Sequence, residues 1–293
     1  MVSLSADHRS QAAQAQACAE HIVDVLIAER APRLTSSLAW PLLRPAFYGA
    51  LDYARARSMA DAIAELSGAE ALAYVSGLLQ LEVTAWGLDR VPASGRCVVV
   101  CNHPTGIADG MAVADALGSV RKDATFFANA DALRVNPRFA EVLIPVEWVE
   151  EKRTREKART TLQAARAAFE AERALVIFPA GRLARRSRDG SLSDPAWAIS
   201  AVSLARKFAA PIVPIHVAGP WSTLFHLFNR ISPELRDITL FHELLNKRGR
   251  PFRLTVGKPI APERLDFDAA KATFALKAYV ERVLCVEPDA DFA

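Results

Sequence analysis

At 293 residues, 51% of them hydrophobic and 24% charged, the chain can bury a large core, which excludes a disordered or low-complexity protein. A net charge of +3 is too small to point to nucleic acid, although clustered basic residues would suit an anionic membrane surface. Four cysteines without paired spacing (Cys18, Cys97, Cys101 and Cys285) exclude a disulfide framework; with no leader-like N-terminus and no long apolar run, a cytoplasmic protein resting on a membrane without crossing it is expected.

From about Ser10 to Glu29 the apolar positions Ala15, Cys18, Ile22, Val25 and Leu26 keep a helical period, and Pro32 ends the element. Between Leu34 and Leu66, Trp40, Phe47, Tyr48 and Tyr53 interleave with Arg44, Arg55 and Arg57, with Arg33 just before. That mixture suits a helix pair at a lipid headgroup boundary and equally a helical hairpin packed on the main domain. A further helix is predicted over Ala69 to Leu79, then a strand over Leu81 to Gly87. The chain thus divides into a helical region, 1–80, and an α/β domain, 81–293.

Val98 to Cys101 is an apolar run that stops at Asn102 and His103, followed by the turn formers Pro104, Thr105 and Gly106 and a helix from near Asp109 to Leu117. Cys97 and Cys101 share one face of this strand as small core residues. A strand at Ala124 to Phe127, a helical piece at Asn136 to Glu141 and a strand at Val142 to Val146 follow. Glu151 to Glu172 reads as a helix with Ala158, Leu162, Ala165 and Phe169 on its inner face and Lys152, Arg153, Arg155, Lys157 and Arg159 in solvent. Ala174 to Phe178 is a buried strand running into Pro179-Ala180-Gly181-Arg182. Asp194 is placed as the cap of a helix reaching Phe208, with Pro195 in its first turn. A strand at Pro211 to Ala218, aromatic helical pieces over Pro220 to Asn246, and a strand at Phe252 to Val256 come next. A helix from Glu263 to Val286 ends the chain, with Leu276, Tyr279, Val280, Val283 and Leu284 on one side. Alternating strands and helices predict an α/β fold with a largely parallel central sheet flanked by helices, plus the N-terminal helical extension.

Two strand ends carry the chemistry. His103, at the carboxyl end of a strand with Asp109 six positions on, has the makings of a general base oriented by a carboxylate. The second end brings Gly181 with Arg182, Arg185, Arg186 and Arg188, guanidinium forks suited to a phosphate, or else an exposed basic loop. No Gly-x-Ser-x-Gly elbow, phosphate loop or dinucleotide-binding turn occurs. His242-Glu243-Leu244-Leu245-Asn246 lacks the second histidine of a zinc-protease helix, so His242 is read with His8, His21 and His226 as structural or solvated, and His216 as a hydrogen-bonded core residue.

Taken together, Asn102-His103 to Asp109, Phe178-Pro179-Ala180-Gly181 and Ile212-Val213-Pro214-Ile215 resemble the first, third and fourth blocks of the lysophospholipid acyltransferases, the glycerolipid family that includes the 1-acylglycerol-3-phosphate acyltransferases. The resemblance covers about 81–260. Five residues instead of four separate His103 from Asp109, and Ala180 stands where Glu is usual; both features resemble the bacterial hemolysin-like branch, associated with ornithine-lipid and related lyso-lipid acylation.

The resemblance implies acyl transfer from an acyl carrier protein (acyl-ACP) or acyl-CoA thioester to a lyso-lipid hydroxyl in membrane lipid biosynthesis, with no metal, cofactor or covalent intermediate. His103 and Asp109 would be catalytic; Asn102, Gly106, Phe178, Pro179, Gly181, Arg182 and Arg185 would bind substrate, with N–H groups near Gly181 as oxyanion donors. The partners implied are the lyso-lipid acceptor, the thioester donor and the inner face of the cytoplasmic membrane. Competing readings are a noncatalytic lipid-binding protein that keeps the fold and a thioester or lipid hydrolase using the same base on water.

Overall fold

The computed structural model describes residues 20–147, 154–186 and 192–293. The expected helix start near Ser10, Cys18, His8, the stretch 151–153 and Arg188 lie outside them. The chain opens with helices α1 (Ile22–Arg30), α2 (Pro32–Thr35), α3 (Trp40–Ala50), α4 (Tyr53–Ile63) and α5 (Gly68–Leu79). His21 caps α1 by accepting the Val23 N–H, and its other ring nitrogen meets Asp61 at 2.9 Å. Buried Asp24 accepts the hydroxyls of Tyr48 and Tyr53 at 2.7 and 2.5 Å and a guanidinium N–H of Arg44 at 3.3 Å. Much of the aromatic and basic mixture therefore ties these helices to one another, and the apolar side chains left in solvent include Leu38 and Leu42. Among the described residues no helix is long and apolar enough to cross a membrane.

The α/β part alternates β1 (Glu82–Trp86), β2 (Cys97–Cys101), α6 (Ile107–Leu117), β3 (Thr125–Asn129), α7 (Asp131–Val135), β4 (Leu143–Val146), α8 (Arg155–Glu170) and β5 (Ala174–Ile177). After a small hairpin, β6 (Arg185–Arg186) and β7 (Leu192–Ser193), come α9 (Ser200–Lys207), β8 (Ile212–Ala218), the helices α10 (Thr223–Ile231), α11 (Pro233–Asp237) and α12 (Leu240–Leu245), β9 (Pro251–Val256) and α13 (Ala269–Ala278). Seven strands form one sheet in the order β1-β9-β8-β2-β5-β3-β4. Every neighbouring pair is parallel except β8 and β9. The largely parallel sheet expected from the alternation is thus what forms.

Side chains alternate across β2. Cys97, Val99 and Cys101 enter a core shared with the N-terminal helices and α6, whereas Val98 and Val100 enter one shared with α8, α9 and α13. The two cysteines expected on one buried face are there, and burial pushes both thiols up.

Three expectations are corrected. The helix placed at Asp194 starts at Ser200, because the Asp194 carboxylate is engaged elsewhere. The terminal helix starts at Ala269 under an Asp268 cap, and its continuation, Tyr279–Val283, is a π-turn closed by Leu284 N–H to Tyr279 O. The wider turn shifts the phase of the apolar face, so Leu276, Tyr279, Val280 and Leu284 stay buried while Val283 points to solvent. On α8 the buried residues are Ala165, Ala168 and Phe169, and Leu162, expected inside, is 55% exposed.

Candidate active site

β2 is buried throughout and flanked by parallel strands on both sides, so its carboxyl end delivers the following loop to the middle of the sheet edge, where open α/β folds place ligands. Asn102 extends the ladder with its side chain: Oδ1 accepts the Val217 N–H at 2.7 Å and Nδ2 donates to Val217 O at 2.9 Å. Its carboxamide is thereby engaged in pinning β2 to β8. At His103 the main chain is gripped from two other segments. Its N–H donates to both oxygens of Asp194 at 3.1 Å, and its carbonyl accepts the Ala184 N–H at 2.8 Å.

The chain then reverses through Pro104, Thr105 and Gly106, whose φ of +96° favours glycine. Helix α6 begins at Ile107, two residues before the expected start, and this puts Asp109 on its first turn, facing back over the helix N-terminus. There the wholly buried carboxylate accepts the N–H groups of Thr105 and Gly106 at 2.8 and 3.0 Å and the Thr105 hydroxyl at 2.6 Å. His103 Nδ1 lies 3.0 Å from Asp109 Oδ2. A carboxylate only accepts, so Nδ1 carries the proton, and it is Nε2 that bears the lone pair whenever the ring is neutral. The imidazole is 17% exposed, and the Phe178 ring sits 4.7 Å away, centre to centre. A rigidly held neutral histidine with one basic nitrogen available is what proton abstraction from a hydroxyl requires.

The second strand end lies beside the first through the Ala184 to His103 bond. After β5, Phe178 is buried, Pro179 O accepts the Ala198 N–H, and Gly181, at φ +60°, closes a turn by donating its own N–H to Phe178 O at 3.0 Å. That N–H is therefore not an oxyanion donor. Arg182 is exposed. Arg185, half-buried, donates to Asn229 Oδ1 at 2.6 Å, and Arg236 donates to the same oxygen at 3.1 Å. Burial first, and then the neighbouring charges of Arg236 and Arg182, push the Arg185 pKa down, while Asp237, which accepts the Arg236 guanidinium, opposes the shift.

Several participants escaped the sequence. Asp194 carries the same Asp-Pro signal as a helix cap; what separates it is Trp197 three residues on, whose indole N–H donates to Asp194 Oδ2 at 2.8 Å. Glu281 fixes this segment by accepting the Asp194 N–H at 2.7 Å. Burial pushes the Asp194 carboxyl up to about 6. Asn229 and Arg236 lie in the helical pieces after β8, where no motif marks them. At Gly219 an added Cβ would stand 2.5 Å from the Phe252 ring and 2.9 Å from Thr105 Cγ2, so the end of β8 approaches the His103 loop as closely as a glycine permits. His216, with Nδ1 3.0 Å from Val280 O, and His242, 2.9 Å from Asp52, have packing roles as expected.

Residues 82–218 match a family model described as Acyltransferase. Two proteins named lyso-glycine lipid O-acyltransferase are similar to the chain. The one from Phocaeicola vulgatus is 28% identical over 71% of this chain and 75% of its own length; the one from Bacteroides thetaiotaomicron is 25% identical over 74% and 79%. Among solved structures, the 1-acyl-sn-glycerophosphate (LPA) acyltransferase PlsC from Thermotoga maritima aligns over 87% of this chain and 95% of its own, with 16% identity and a TM-score of 0.47. The segment matched by the acyltransferase model runs from β1 to the end of β8 and contains both strand ends described above, in line with the resemblance read from the sequence.

Proposed function

We propose that the protein transfers an acyl chain from a thioester, carried by an acyl carrier protein or by coenzyme A, to the hydroxyl of a lyso-lipid, with His103 as general base. The observation that carries this reading is the His103 to Asp109 pair, held at the strand end by backbone bonds from both sides. Nε2 removes the hydroxyl proton as the oxygen attacks the thioester carbonyl, and buried Asp109 stabilises the imidazolium. The tetrahedral intermediate then collapses, the C–S bond breaks, and the departing thiolate takes the proton back from His103. Because the Gly181 N–H is engaged, the oxyanion role is assigned to a different N–H near that turn.

Arg182 and Arg185, with Arg236 beside them, suit an anionic headgroup, whether the carboxylate of an amino-acid lipid or a phosphate. The similarity to lyso-glycine lipid acyltransferases favours the former. Glu234 of α11 accepts the N–H groups of Arg33 and Leu34, joining the N-terminal helices to the α10 region. Exposed Leu38, Leu42, Leu227 and Ile231 on these elements support contact with a membrane that holds the acceptor, on the inner face of the cytoplasmic membrane.

The test is mass-spectrometric detection of diacylated product when purified protein meets a palmitoyl thioester and a panel of lyso-lipids, amino-acid lipids included. His103→Ala should abolish product formation; a variant keeping more than a tenth of wild-type activity would remove the base assignment. Release of fatty acid without any acylated acceptor would point to hydrolysis instead.

A further inference from the structure

On the far side of the sheet from the N-terminal helices, α8 and the end of α9 enclose a groove of about 380 Å³. Arg155, Arg159, Leu162 and Arg166 follow one another at spacings of four, three and four residues, so they form a single stripe along α8, and Lys207 of α9 faces them. Among the described residues no carboxylate lines the groove. Arg166 pairs with Glu170, but among the described residues Arg155, Arg159 and Lys207 have no carboxylate partner. Like charges four apart on a helix oppose helix formation, and a leucine left in water among them adds nothing to stability. An arrangement with that local cost fits a surface that is covered in use.

We propose that this groove docks an acidic helix of the carrier protein that delivers the acyl thioester, an inference that rests on the transfer reading above. Three features choose this occupant. The arginines of α8 stand about 6 Å and then about 10 Å apart over about 16 Å, which matches carboxylates at four- and seven-residue spacing on a helix laid alongside. Coenzyme A, with its phosphates gathered near one end, would use only part of such a stripe. Leu162 supplies an apolar anchor among the charges, the arrangement of a protein interface rather than of a bare anion site. A membrane resting on Leu38, Leu42, Leu227 and Ile231 lies against the other face of the molecule, so the groove opens to solvent.

The direction of α8 also suits delivery. Its last residue, Glu170, lies just before β5 begins at Ala174, so its first turn, with Arg155, stands at the end of the sheet where the parallel strands finish. His103 stands at that same end. A carrier seated along the stripe brings its flexible thioester arm to the rim that holds the base.

The experiment compares wild type with Arg155→Glu/Arg159→Glu and, separately, Leu162→Ala. Steady-state kinetics are measured with palmitoyl-loaded acyl carrier protein and with palmitoyl-CoA, and unloaded carrier is titrated by calorimetry. The expected result is a KM for the loaded carrier at least tenfold higher in the charge-reversal variant and severalfold higher in Leu162→Ala. The turnover number, and all constants with palmitoyl-CoA, should stay at wild-type values, and carrier binding should weaken as salt rises. If no donor supports transfer, the transfer reading fails, and the calorimetric titration still decides whether the groove binds the carrier. Unchanged KM and unchanged carrier binding in both variants would overturn the proposal. So would a charge-reversal variant whose only loss is binding to phosphatidylglycerol vesicles, which would make the groove a lipid contact.

Discussion

Where the strands of the sheet begin, and where they finish, an arginine sits partly or wholly inside the protein, and the two are treated differently. At the beginning, Arg121 lies buried with its guanidinium saturated: Nε and Nη2 fork onto Asp123 at 2.6 and 2.7 Å, Nη1 reaches Pro92 O and Gly95 O, and Nη2 also reaches Glu172 O. Those carbonyls and Asp123 lead into β2, β5 and β3, so one side chain clamps the entrances of three central strands. At the finishing end, Arg185 has a neutral amide for a partner, and its charged neighbours are Arg182, Arg236 and the carboxylate Asp237, onto which Arg236 forks. A saturated arginine holds a fold together, whereas one left with donors and surplus charge is ready for an anion that arrives from outside. The same contrast runs through the carboxylates: Asp123 neutralises its arginine, while Asp109 and Asp194 hold one histidine by its ring and by its backbone.

Breaking the clamp should show the largest effect. Arg121→Ala leaves three carbonyls and a carboxylate without their donor and is expected to destabilise the fold by about 3 kcal/mol. Turnover per folded molecule should stay near wild type; chemical denaturation and active-site-normalised kinetics check the two halves of that statement. At the other end the pattern inverts. Asp109→Asn can keep accepting the turn N–H groups, so its melting temperature should change little. It loses the charge opposite the imidazolium, and turnover should fall on the order of a hundredfold, about 2.7 kcal/mol in the barrier. Equal losses of stability and activity would make Asp109 a helix-turn residue and no more.

A pH series sharpens the comparison. The folded pKa of Asp194, about 6, lies above the value near 4 of an unfolded aspartate. Its contribution to stability is complete below the unfolded value and is lost as pH rises through 6. Asp194→Asn retains an acceptor for both His103 and Trp197, so it should melt above wild type at pH 7.5, and the gap should close near pH 4. A gap that stays constant with pH would show that the charge of Asp194 is irrelevant to stability. The smallest effect is assigned to Arg185→Ala: KM for the acceptor should rise about tenfold with turnover little changed, and Arg185→Lys should recover part of the loss.

What could be read from the chain beforehand divides along a physical line. Features that follow from near neighbours in sequence were legible: the buried run into Asn102, the glycine-bearing turn, and the pairing of an imidazole with a carboxylate six positions on. The alternation of strands and helices likewise sufficed for the parallel sheet, because period and turn chemistry are local. Contacts made across the fold were not legible. Asp194 reads as a helix cap until β2 is seen to end above it, and Arg236 meets Arg185 only because both reach Asn229. Leu162 fits a buried stripe by spacing alone, but the face of α8 that meets the core is the one carrying Ala165, Ala168 and Phe169, and Leu162 is left at the groove. The phase slip at Val283 comes from a π-turn that no local residue type announces.

The strand that opens the α/β part, β1, is at one edge of the sheet, and its ladder partner is the last strand, β9. On a ribosome adding about 5–20 residues per second, β1 emerges on the order of ten seconds before β9 exists to receive it. Until then the apolar faces of α1 to α5, which share a core with Phe252, Leu254 and Val256 of β9, have no complete surface to close on. The nascent chain therefore carries a half-built core through most of its synthesis, exposing apolar helix faces that the finished protein buries.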